Sequence, residues 1–274
     1  MEISVIISTY NSEDLLQKVL WGYHNQTFNN FELVIADDGS KESTKILIEN
    51  FQKITNFPIT HVWQEDNGFQ KSKILNKAIL ECKAPYIIMS DGDCIPKYNF
   101  VEVHNSKKKE GYFISGGYFK LSKNISELID KETILSGSCF KLKWLKKNGL
   151  KKSFRNNKLT EKKLKAGVLN TLTPTKATWN GHNSSGWKKD IIAVNGFDER
   201  MQYGGQDREL GERLVNYGIK PKQLRYSAIV VHLDHPRGYE NKKSWEINNN
   251  IRKYTRKYNI IYSPFGLIKH GVSA

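Results

Sequence analysis

The chain has 274 residues, of which 38% are hydrophobic and 11% are aromatic, so a wholly disordered protein is excluded. Its formal net charge of +15 favours anionic partners: nucleotides, nucleic acid, acidic glycans or an anionic membrane surface. No apolar run reaches the ~18 residues of a transmembrane helix, and residues 1–4 do not begin a signal peptide, so we expect a cytoplasmic protein, either free or held peripherally at the inner face of the cell membrane.

Residues 1–100 alternate between short apolar runs and amphipathic segments. Buried strands are predicted at 3–8, 31–36, 59–63 and 86–89. Helices are predicted after Ser12, after Ser40 or Ser43, and over 72–80, with those serines as caps of the first two. Strands and helices that alternate at this spacing predict a doubly wound, mostly parallel α/β sheet.

Polar or acidic residues follow three of these strands, as Ser8-Thr9-Tyr10-Asn11, Asp37-Asp38 and Asp91-Gly92-Asp93. Ligands of an open α/β sheet bind beyond the carboxyl ends of its strands. An Asp-x-Asp pair there offers hard oxygen ligands for Mg²⁺ or Mn²⁺, although Asp and Gly are also common in plain turns. Since carboxylates on one edge repel each other unless a cation or ligand offsets them, we expect a ligand site. A dinucleotide or P-loop motif is absent from the sequence.

The middle of the chain is basic. A strand is expected within 111–121, and residues 123–172 show modest helical periodicity and many cations. These cations form either a solvated helical face or a positive surface for a membrane or an anionic acceptor.

A Gly-Gly turn precedes a predicted helix that begins at Asp207 and ends at Gly218. Its inner face is expected to carry Leu210, Leu214 and Tyr217. The helix start should lower the pKa of Asp207 and keep it ionised, and the glycines should let a ligand approach the backbone.

A last strand is predicted at 227–231, and His232 and His235 follow it as candidate metal ligands. The polar stretch 236–259 reads either as a mobile lid or as a plain surface loop.

These motifs resemble a family-2 glycosyltransferase over about residues 1–100. The residues that carry the resemblance are Ile7-Ser8-Thr9-Tyr10-Asn11, Gln26-Thr27, the 31–40 segment ending in Asp37-Asp38-Gly39-Ser40, Asn67-Gly68 and Asp91-Gly92-Asp93. The segment from Asn195-Gly196-Phe197-Asp198 to Asp207 is similar to the C-terminal motif of β-1,4-galactosyltransferases and chondroitin-polymerase-type enzymes. That motif usually reads Trp-Gly-Gly-Glu-Asp, whereas Tyr203 and Gln206 stand at its first and fourth positions here.

The resemblance implies a GT-A fold and a metal-dependent inverting transfer of a hexose or N-acetylhexosamine. The donor would be a UDP-sugar. The basic middle segment further indicates a glycan or lipid-linked acceptor, in surface polysaccharide or lipopolysaccharide synthesis. Residues 1–100 would bind the nucleotide sugar, and residues 101–274, with a basic segment at about 123–172, would bind the acceptor and complete the metal site.

The resemblance also implies roles for individual residues. Ser8, Thr9, Tyr10 and Gly92 would line the nucleotide site, with Thr9 and Tyr10 on the uracil or ribose. Asp38 would accept from the uracil imide, Lys73 would face the base or phosphates, and Asp91 would bind ribose or metal. Asp93 and one or both of His232 and His235 would hold Mn²⁺ or Mg²⁺. Asp207 would be the general base, and Gly205 and Gln206 would contact the acceptor. Apart from the resemblance, Trp187 offers either an apolar face for an acceptor sugar ring or a core side chain.

Two other functions fit parts of the sequence. Nucleotidyl transfer also uses acidic strand ends and Mg²⁺, but Ser8-Thr9-Tyr10-Asn11-Ser12 is not a Gly/Lys/Arg-rich phosphate loop. A basic nucleic-acid binder fits the charge, but no recognised binding module is present in the sequence, and we expect no nucleic-acid partner.

Overall fold

The computed structural model describes residues 1–236 and 242–269. In that part of the chain an eight-stranded mixed sheet has the order β3-β2-β1-β4-β7-β6-β8-β5. The strands are β1 Ile3–Thr9, β2 Phe31–Asp37, β3 Ile59–Trp63, β4 Tyr86–Asp91, β5 Cys94–Pro96, β6 Tyr112–Lys120, β7 Asn183–Trp187 and β8 Lys220–His232. The helices are α1 Glu13–His24, α2 Glu42–Gln52, α3 Lys71–Glu81, α4 Phe100–Lys107, α5 Lys123–Glu127, α6 Lys131–Leu135, α7 Leu142–Lys147, α8 Lys163–Leu172, α9 Lys188–Ala193, α10 Gln206–Asn216 and α11 Lys242–Lys257. Short 3-10 helices lie at Ser138–Phe140 and Phe154–Leu159.

The first four strands pair in parallel, β3 with β2, β2 with β1 and β1 with β4. This arrangement confirms the doubly wound α/β sheet. The register places Thr9 opposite Asp37 and Ser8 opposite Asp91, so the polar residues that end these strands share one edge of the sheet.

Apolar side chains cover both faces of this sheet. Alternating residues of β1 divide between the faces: Val5 and Ile7 pack in one core, and Ile6 packs in the other. The first core includes Leu16 and Leu20 of α1, while the second includes residues of α3 and α10. Because burial of such side chains is the main favourable term in folding, these layers fix the position of the polar edge.

The expected helix caps are wrong. Ser12 does precede α1, but its hydroxyl donates to the Tyr10 carbonyl instead of capping the helix. Helix α2 has Lys41 at its N-cap position and no side-chain cap. The Ser40 hydroxyl accepts from the Asn11 amide, and the Ser43 hydroxyl donates to Glu13. These serines therefore join two loops at the polar edge.

Strand β7 lies inside the sheet although its sequence, Asn-Ser-Ser-Gly-Trp, has no strand pattern. It runs antiparallel to both β4 and β6. Asn183 donates to the carbonyls of Gly117 and Ala228, and His104 contacts both Asn183 and Ser185. Gly116 is needed beside it, because a Cβ there would lie 2.1 Å from the Asn183 Oδ1. Tertiary hydrogen bonds thus allow polar residues to be buried.

Other expectations change in the second half. The short strand β5 ends at Pro96 and pairs with β8 at the edge of the sheet, where proline is tolerated. Tyr217 is 46% exposed and does not belong to the inner face of α10, while Gly218 ends that helix with a φ of +101°. The sequence predicts a mobile lid or a surface loop at 236–259, but residues 242–257 of this stretch form α11. Residues 237–241 of the same stretch lie outside the described residues.

The basic segment is helical, as expected, and contains α5, α6, α7 and α8. Its helices pack beside the sheet, α8 against β8 in particular. None of the helices in the described ranges is both long enough and apolar enough to span a bilayer.

Candidate functional site

The polar edge is organised around Lys71, the first residue of α3. Its ammonium donates to Asp91 Oδ1 at 2.7 Å, and the same oxygen accepts from the Ser8 hydroxyl at 2.8 Å. Burial opposes the charge of Lys71, but Asp91, Asp207 and Asp93 outweigh it and raise the pKa of Lys71. Lys71 is therefore a fixed positive charge among carboxylates from separate segments.

Asp38 follows β2 and faces the start of α3. Its carboxylate accepts from Gln64 Nε2 at 2.7 Å and from the Gln70 amide at 2.8 Å. Burial raises the pKa of Asp38, and these two hydrogen bonds act in the opposite direction. The neighbouring Asp37 points inward and forms hydrogen bonds with His61 and with the Ser40 amide. These partners are within the protein, so Asp37 stabilises the local structure.

The loop after β1 gives one wall of the site. The Tyr10 side chain is 47% exposed, and its hydroxyl donates to Asp66 Oδ2 at 2.8 Å. Thr9 Oγ1 is buried and has no hydrogen-bond partner. The Gly92 amide donates to the Ser8 carbonyl at 2.8 Å, which holds the turn after β4 against β1. An open surface with an unpaired hydroxyl results, and a polar ligand could satisfy that hydroxyl.

Asp93 and two histidines form a second cluster at the same edge. Asp93 Oδ2 lies 2.8 Å from His235 Nε2 and 3.6 Å from His232 Nε2. The two imidazole rings are stacked, with centroids 5.7 Å apart. Burial would raise the pKa of Asp93, but the His235 hydrogen bond and the charge of His232 lower it well below its usual range. The carboxylate is therefore ionised.

This donor set fits a divalent cation. The Nδ1 atoms of His232 and His235 donate to the carbonyls of Leu233 and Pro236, so Nε2 is the nitrogen of each ring that faces Asp93. Two Nε2 atoms beside a carboxylate, once a cation replaces any proton they carry, suit a metal with nitrogen and oxygen ligands. Cys94 also lies near this group, but burial raises the pKa of its thiol far above the usual value, so it is a poor ligand.

Asp207 is the second residue of α10. Its Oδ1 is buried and has no hydrogen-bond partner. The expected lowering of its pKa is wrong: burial raises the pKa of Asp207, aided by the charge of Asp91, while Lys71 and the Gly181 amide act in the opposite direction. Desolvation outweighs the helix terminus because the carboxylate lies beneath Gly181, where a Cβ would approach its Oδ1 to 2.6 Å.

A buried ion pair fixes helix α10. Arg213 binds both carboxylate oxygens of Glu209 and also donates to the carbonyls of Val194 and Gly196. Glu209 accepts from Thr255 of α11 as well. The Asn195-Gly196 turn, α10 and α11 are thus joined by one network, which holds Asp207 at the polar edge.

The Gly-Gly turn is covered by α11 and does not open to a ligand. A Cβ on Gly204, whose φ is +107°, would lie 2.8 Å from the Trp245 ring, and one on Gly205 would lie 3.0 Å from Arg252 Cδ. Gln206 is buried, and its Oε1 accepts from the Gly204 amide. Gly205 and Gln206 therefore have packing partners within the protein, and their acceptor contacts stay a prediction.

The structure places Trp187 away from the polar edge, and the lysine that it brings to Asp91 is not Lys73. Trp187 ends β7 opposite Tyr86, at the start of β4, and its ring packs on Tyr86. The far end of β4 carries Asp91, roughly 16 Å away at about 3.3 Å per residue, so Trp187 is a core residue and not an acceptor contact. Lys71, two residues before Lys73, is the lysine that reaches Asp91.

The structure adds residues that the sequence interpretation passed over. His182 Nε2 is buried without a partner, and the His182 ring lies 4.6 Å from that of Tyr118. Burial lowers the pKa of His182 to about 4, so its ring is neutral at pH 7. Trp245 is 41% exposed and forms an aromatic row with Tyr203 and Phe69. In the sequence, only the Gly-His-Asn stretch could have indicated a site role for His182, and no local pattern indicated one for Trp245.

A basic cluster adjoins Tyr118. Lys158 Nζ lies 2.9 Å from the Tyr118 carbonyl and 4.7 Å from its ring centroid. Burial lowers the pKa of Lys158 to about 8, and the charges of Arg225 and Arg155 contribute to this shift. Among the described residues no carboxylate lies within 4.0 Å of these three cations. The cluster is thus a positive surface without a carboxylate partner among the described residues.

Comparisons with known proteins agree with this arrangement. The family model described as glycosyl transferase family 2 matches residues 4–162. The uncharacterized glycosyltransferase YfnE of Bacillus subtilis is 29% identical, over 96% of this chain and 72% of its own length. Chondroitin synthase of Escherichia coli is 24% identical over 91% of this chain, which spans only 37% of that protein.

Solved structures show the same fold. Staphylococcus aureus TarS 1–349 in complex with UDP has a TM-score of 0.62 at 14% identity, covering 95% of this chain and 70% of that one. The mannosyltransferase PcManGT from Pyrobaculum calidifontis, in complex with GDP-Man and Mn²⁺, has a TM-score of 0.57 at 16% identity, covering 87% and 58%. The architecture is of the GT-A type, which confirms the expected fold class.

Proposed function

The chain belongs to glycosyl transferase family 2, and from this premise we propose that it moves a hexose or N-acetylhexosamine from a UDP-sugar to a glycan or lipid-linked acceptor. It is a glycosyltransferase that uses a nucleotide sugar. The UDP donor, the metal, the inverting course and a role in surface polysaccharide or lipopolysaccharide synthesis are the proposed part. The named relatives and structures give no support to nucleotidyl transfer or nucleic-acid binding.

One observation carries the proposal: the carboxylates of Asp91 at the end of β4, Asp93 just after it and Asp207 in α10 lie close enough to Lys71 to act on its single ammonium. Buried carboxylates at such close quarters are costly unless cations and a ligand compensate them. A nucleotide sugar with a divalent cation supplies that compensation, because its diphosphate and the metal bring both charge signs.

We assign donor binding to residues 1–100, as the resemblance implies. Thr9 and Tyr10 line the open wall beside Asp38, which would accept a hydrogen bond from the base. Asp91 and Lys71 stand at the next strand end, where ribose and phosphate would follow. This order matches the binding of ligands beyond the carboxyl ends of parallel strands.

We assign metal binding to Asp93, His232 and His235. The two histidines belong to the acceptor half, residues 101–274, whereas Asp93 belongs to the donor half. Both rings are oriented alike by backbone carbonyls, so the geometry favours the use of both. When bound, Mn²⁺ or Mg²⁺ would stabilise the negative charge of the departing nucleoside diphosphate. Lys71 would contribute a second positive charge from the donor half.

Asp207 is the proposed general base. Inverting transfer needs a group that takes the proton of the acceptor hydroxyl. The free Oδ1 of Asp207 and its raised pKa suit that task, since a stronger base accepts a proton more readily. With its position fixed by the Arg213 network, the carboxylate is held ready before the acceptor binds.

The acceptor is proposed to carry negative charge. The uncompensated cluster of Arg155, Lys158 and Arg225 reaches the site through Tyr118 and His182. Phosphate groups of a lipid-linked diphosphate acceptor would neutralise this cluster. Trp245, in place of Trp187, offers an exposed ring for an acceptor sugar near Gly204.

The test is a thermal-shift screen of the intact protein with UDP, UDP-hexoses, UDP-N-acetylhexosamines and GDP-mannose, with and without Mn²⁺. A ligand that binds only the native state raises the melting temperature by mass action. We expect stabilisation by UDP compounds that requires the metal. Equal stabilisation by GDP-mannose would overturn the donor assignment, and stabilisation independent of metal would overturn the metal assignment.

A further inference from the structure

Helix α8 exposes an apolar stripe. Leu164, Val168 and Leu172, spaced four residues apart, therefore lie on one face of the helix. Their exposures are 88%, 55% and 71%. Soluble proteins rarely leave three large aliphatic residues in a row so open to water, so this stripe points to a partner.

The opposite face of α8 is firmly attached to the protein. Ala166 is buried, and Asn170 donates to the Ser227 hydroxyl at 2.8 Å and accepts from the Tyr226 amide at 2.9 Å. Gln223 donates to the Asn170 carbonyl at 3.1 Å. Because β8 holds the polar face in this way, the orientation of the apolar stripe toward solvent is imposed by the fold.

In the sequence, many lysines lie next to or just before the apolar stripe. Lys162, Lys163 and Lys165 flank Leu164 and are all exposed. From 141 to 165 the sequence carries eleven cations and one carboxylate, Glu161; the cations are Lys141, Lys143, Lys146, Lys147, Lys151, Lys152, Arg155, Lys158, Lys162, Lys163 and Lys165. An apolar stripe with this much positive charge beside it fits an anionic surface that also offers an apolar interior.

We propose that α8 is a membrane-docking helix, which lies in the interface of an anionic bilayer with Leu164, Val168 and Leu172 among the acyl chains. The lysines remain at the level of the lipid headgroups, where their long side chains reach anionic phosphates. A second copy of this chain is a poorer occupant of the stripe, because two such cationic segments would repel each other. The docking does not depend on the proposed sugar transfer.

The test measures binding of the intact protein to sedimented vesicles, without nucleotide. The vesicles consist of phosphatidylcholine alone or of phosphatidylcholine mixed with phosphatidylglycerol. The variant combines Leu164→Ser, Val168→Ser and Leu172→Ser, all at exposed positions. The control combines Ile46→Ser, Ile54→Ser and Leu80→Ser, whose wild-type side chains are 50%, 51% and 57% exposed elsewhere on the molecule.

Wild type and the control should bind the anionic vesicles, and salt should weaken that binding. The α8 variant should bind at least about tenfold more weakly, since each lost aliphatic contact removes apolar burial. Equal binding by the α8 variant, or equal binding of wild type to neutral vesicles, would overturn the proposal. The proposal would also be overturned if light scattering showed that the wild type is a dimer and the α8 variant a monomer. Donor binding in the thermal-shift screen should be the same for all three proteins, so a failure here is separate from a failure of the proposed function.

Discussion

Strands β1 and β7 lie in the same sheet and are both buried, yet they are stabilised in opposite ways. Strand β1 is largely apolar, and its side chains pack into the two cores. Strand β7 is largely polar, and Asn183 and Ser185 are satisfied by partners from β6, β8, α4 and β4. The half to which we assign donor binding is thus specified by local pattern, whereas the half assigned to the acceptor depends on contacts between distant segments.

The proposed site combines both kinds of structure. Asp38, Lys71 and Asp91 belong to elements of the donor half, and His232 and Asp207 belong to the acceptor half. Substitutions in the first group should therefore weaken donor binding. Those in the second group should change turnover or acceptor use, and each prediction below tests this division.

The largest effect is expected for Asp93, which joins the two halves. Asp93→Ala should abolish transfer, because it removes the carboxylate from a metal site worth several kcal/mol of transition-state stabilisation. Treatment of the wild type with EDTA should do the same, and added Mn²⁺ or Mg²⁺ should restore activity. Transfer that persists under both treatments, measured by release of UDP with acceptor present, would contradict the metal assignment.

Asp207→Asn should reduce kcat by about 10²–10⁴-fold, the usual contribution of a general base. Donor affinity should remain near that of the wild type, because the amide keeps the shape of the side chain at α10. Titration of UDP in the presence of metal checks the affinity. If donor binding and turnover fall together, Asp207 has a structural role and the division between the halves fails at this residue.

Lys71→Met should weaken donor binding by about tenfold to a hundredfold, as expected for loss of a charged hydrogen-bonding group. Lys71→Arg should recover much of it, since the positive charge beside Asp91 is kept. The matched control is Lys73→Met, two residues along the same helix, which should bind like the wild type. A larger loss for Lys73 than for Lys71 would restore the original sequence-based assignment.

Trp245→Ala should raise the KM for acceptor by about tenfold, because an aromatic face against a sugar contributes on the order of 1 kcal/mol. The KM for donor should stay unchanged. Tyr254→Ala is the control, as this residue is 59% exposed on the same helix. Initial rates at varied acceptor concentration provide the measurement, and an unchanged acceptor KM in Trp245→Ala removes this residue from the acceptor site.

The smallest effect concerns His104, which supports β7. Burial lowers the pKa of His104 to about 4, whereas an unfolded histidine titrates near 6.5. Between these values the unfolded state binds the extra proton, so this residue's stabilising contribution is lost as pH falls from 6.5 toward 4. The slope is up to about 1.4 kcal/mol per pH unit. Urea unfolding at several pH values should show a shallower slope for His104→Gln, and an identical slope would mean that His104 does not titrate in this way.

Much of the donor half could be predicted from sequence, because its strands are apolar runs separated by amphipathic helices. The predicted strand at 59–63 coincides with β3, and the other three differ only at their ends. The parallel pairing followed from the alternation, and so did the alignment of the polar strand ends. Local periodicity suffices here, since β1, β2 and β4 bury their side chains on both faces of the sheet.

Tertiary structure alone determined the rest. Which lysine reaches Asp91 depends on how α3 begins, and a shift of two residues turns a side chain to another face of the helix. Trp187 packs on Tyr86 because β7 inserts between β4 and β6, and Trp245 reaches the Gly-Gly turn because α11 covers that turn. The pKa of Asp207 is raised and not lowered because burial, which no local sequence pattern reports, outweighs the field of its own helix.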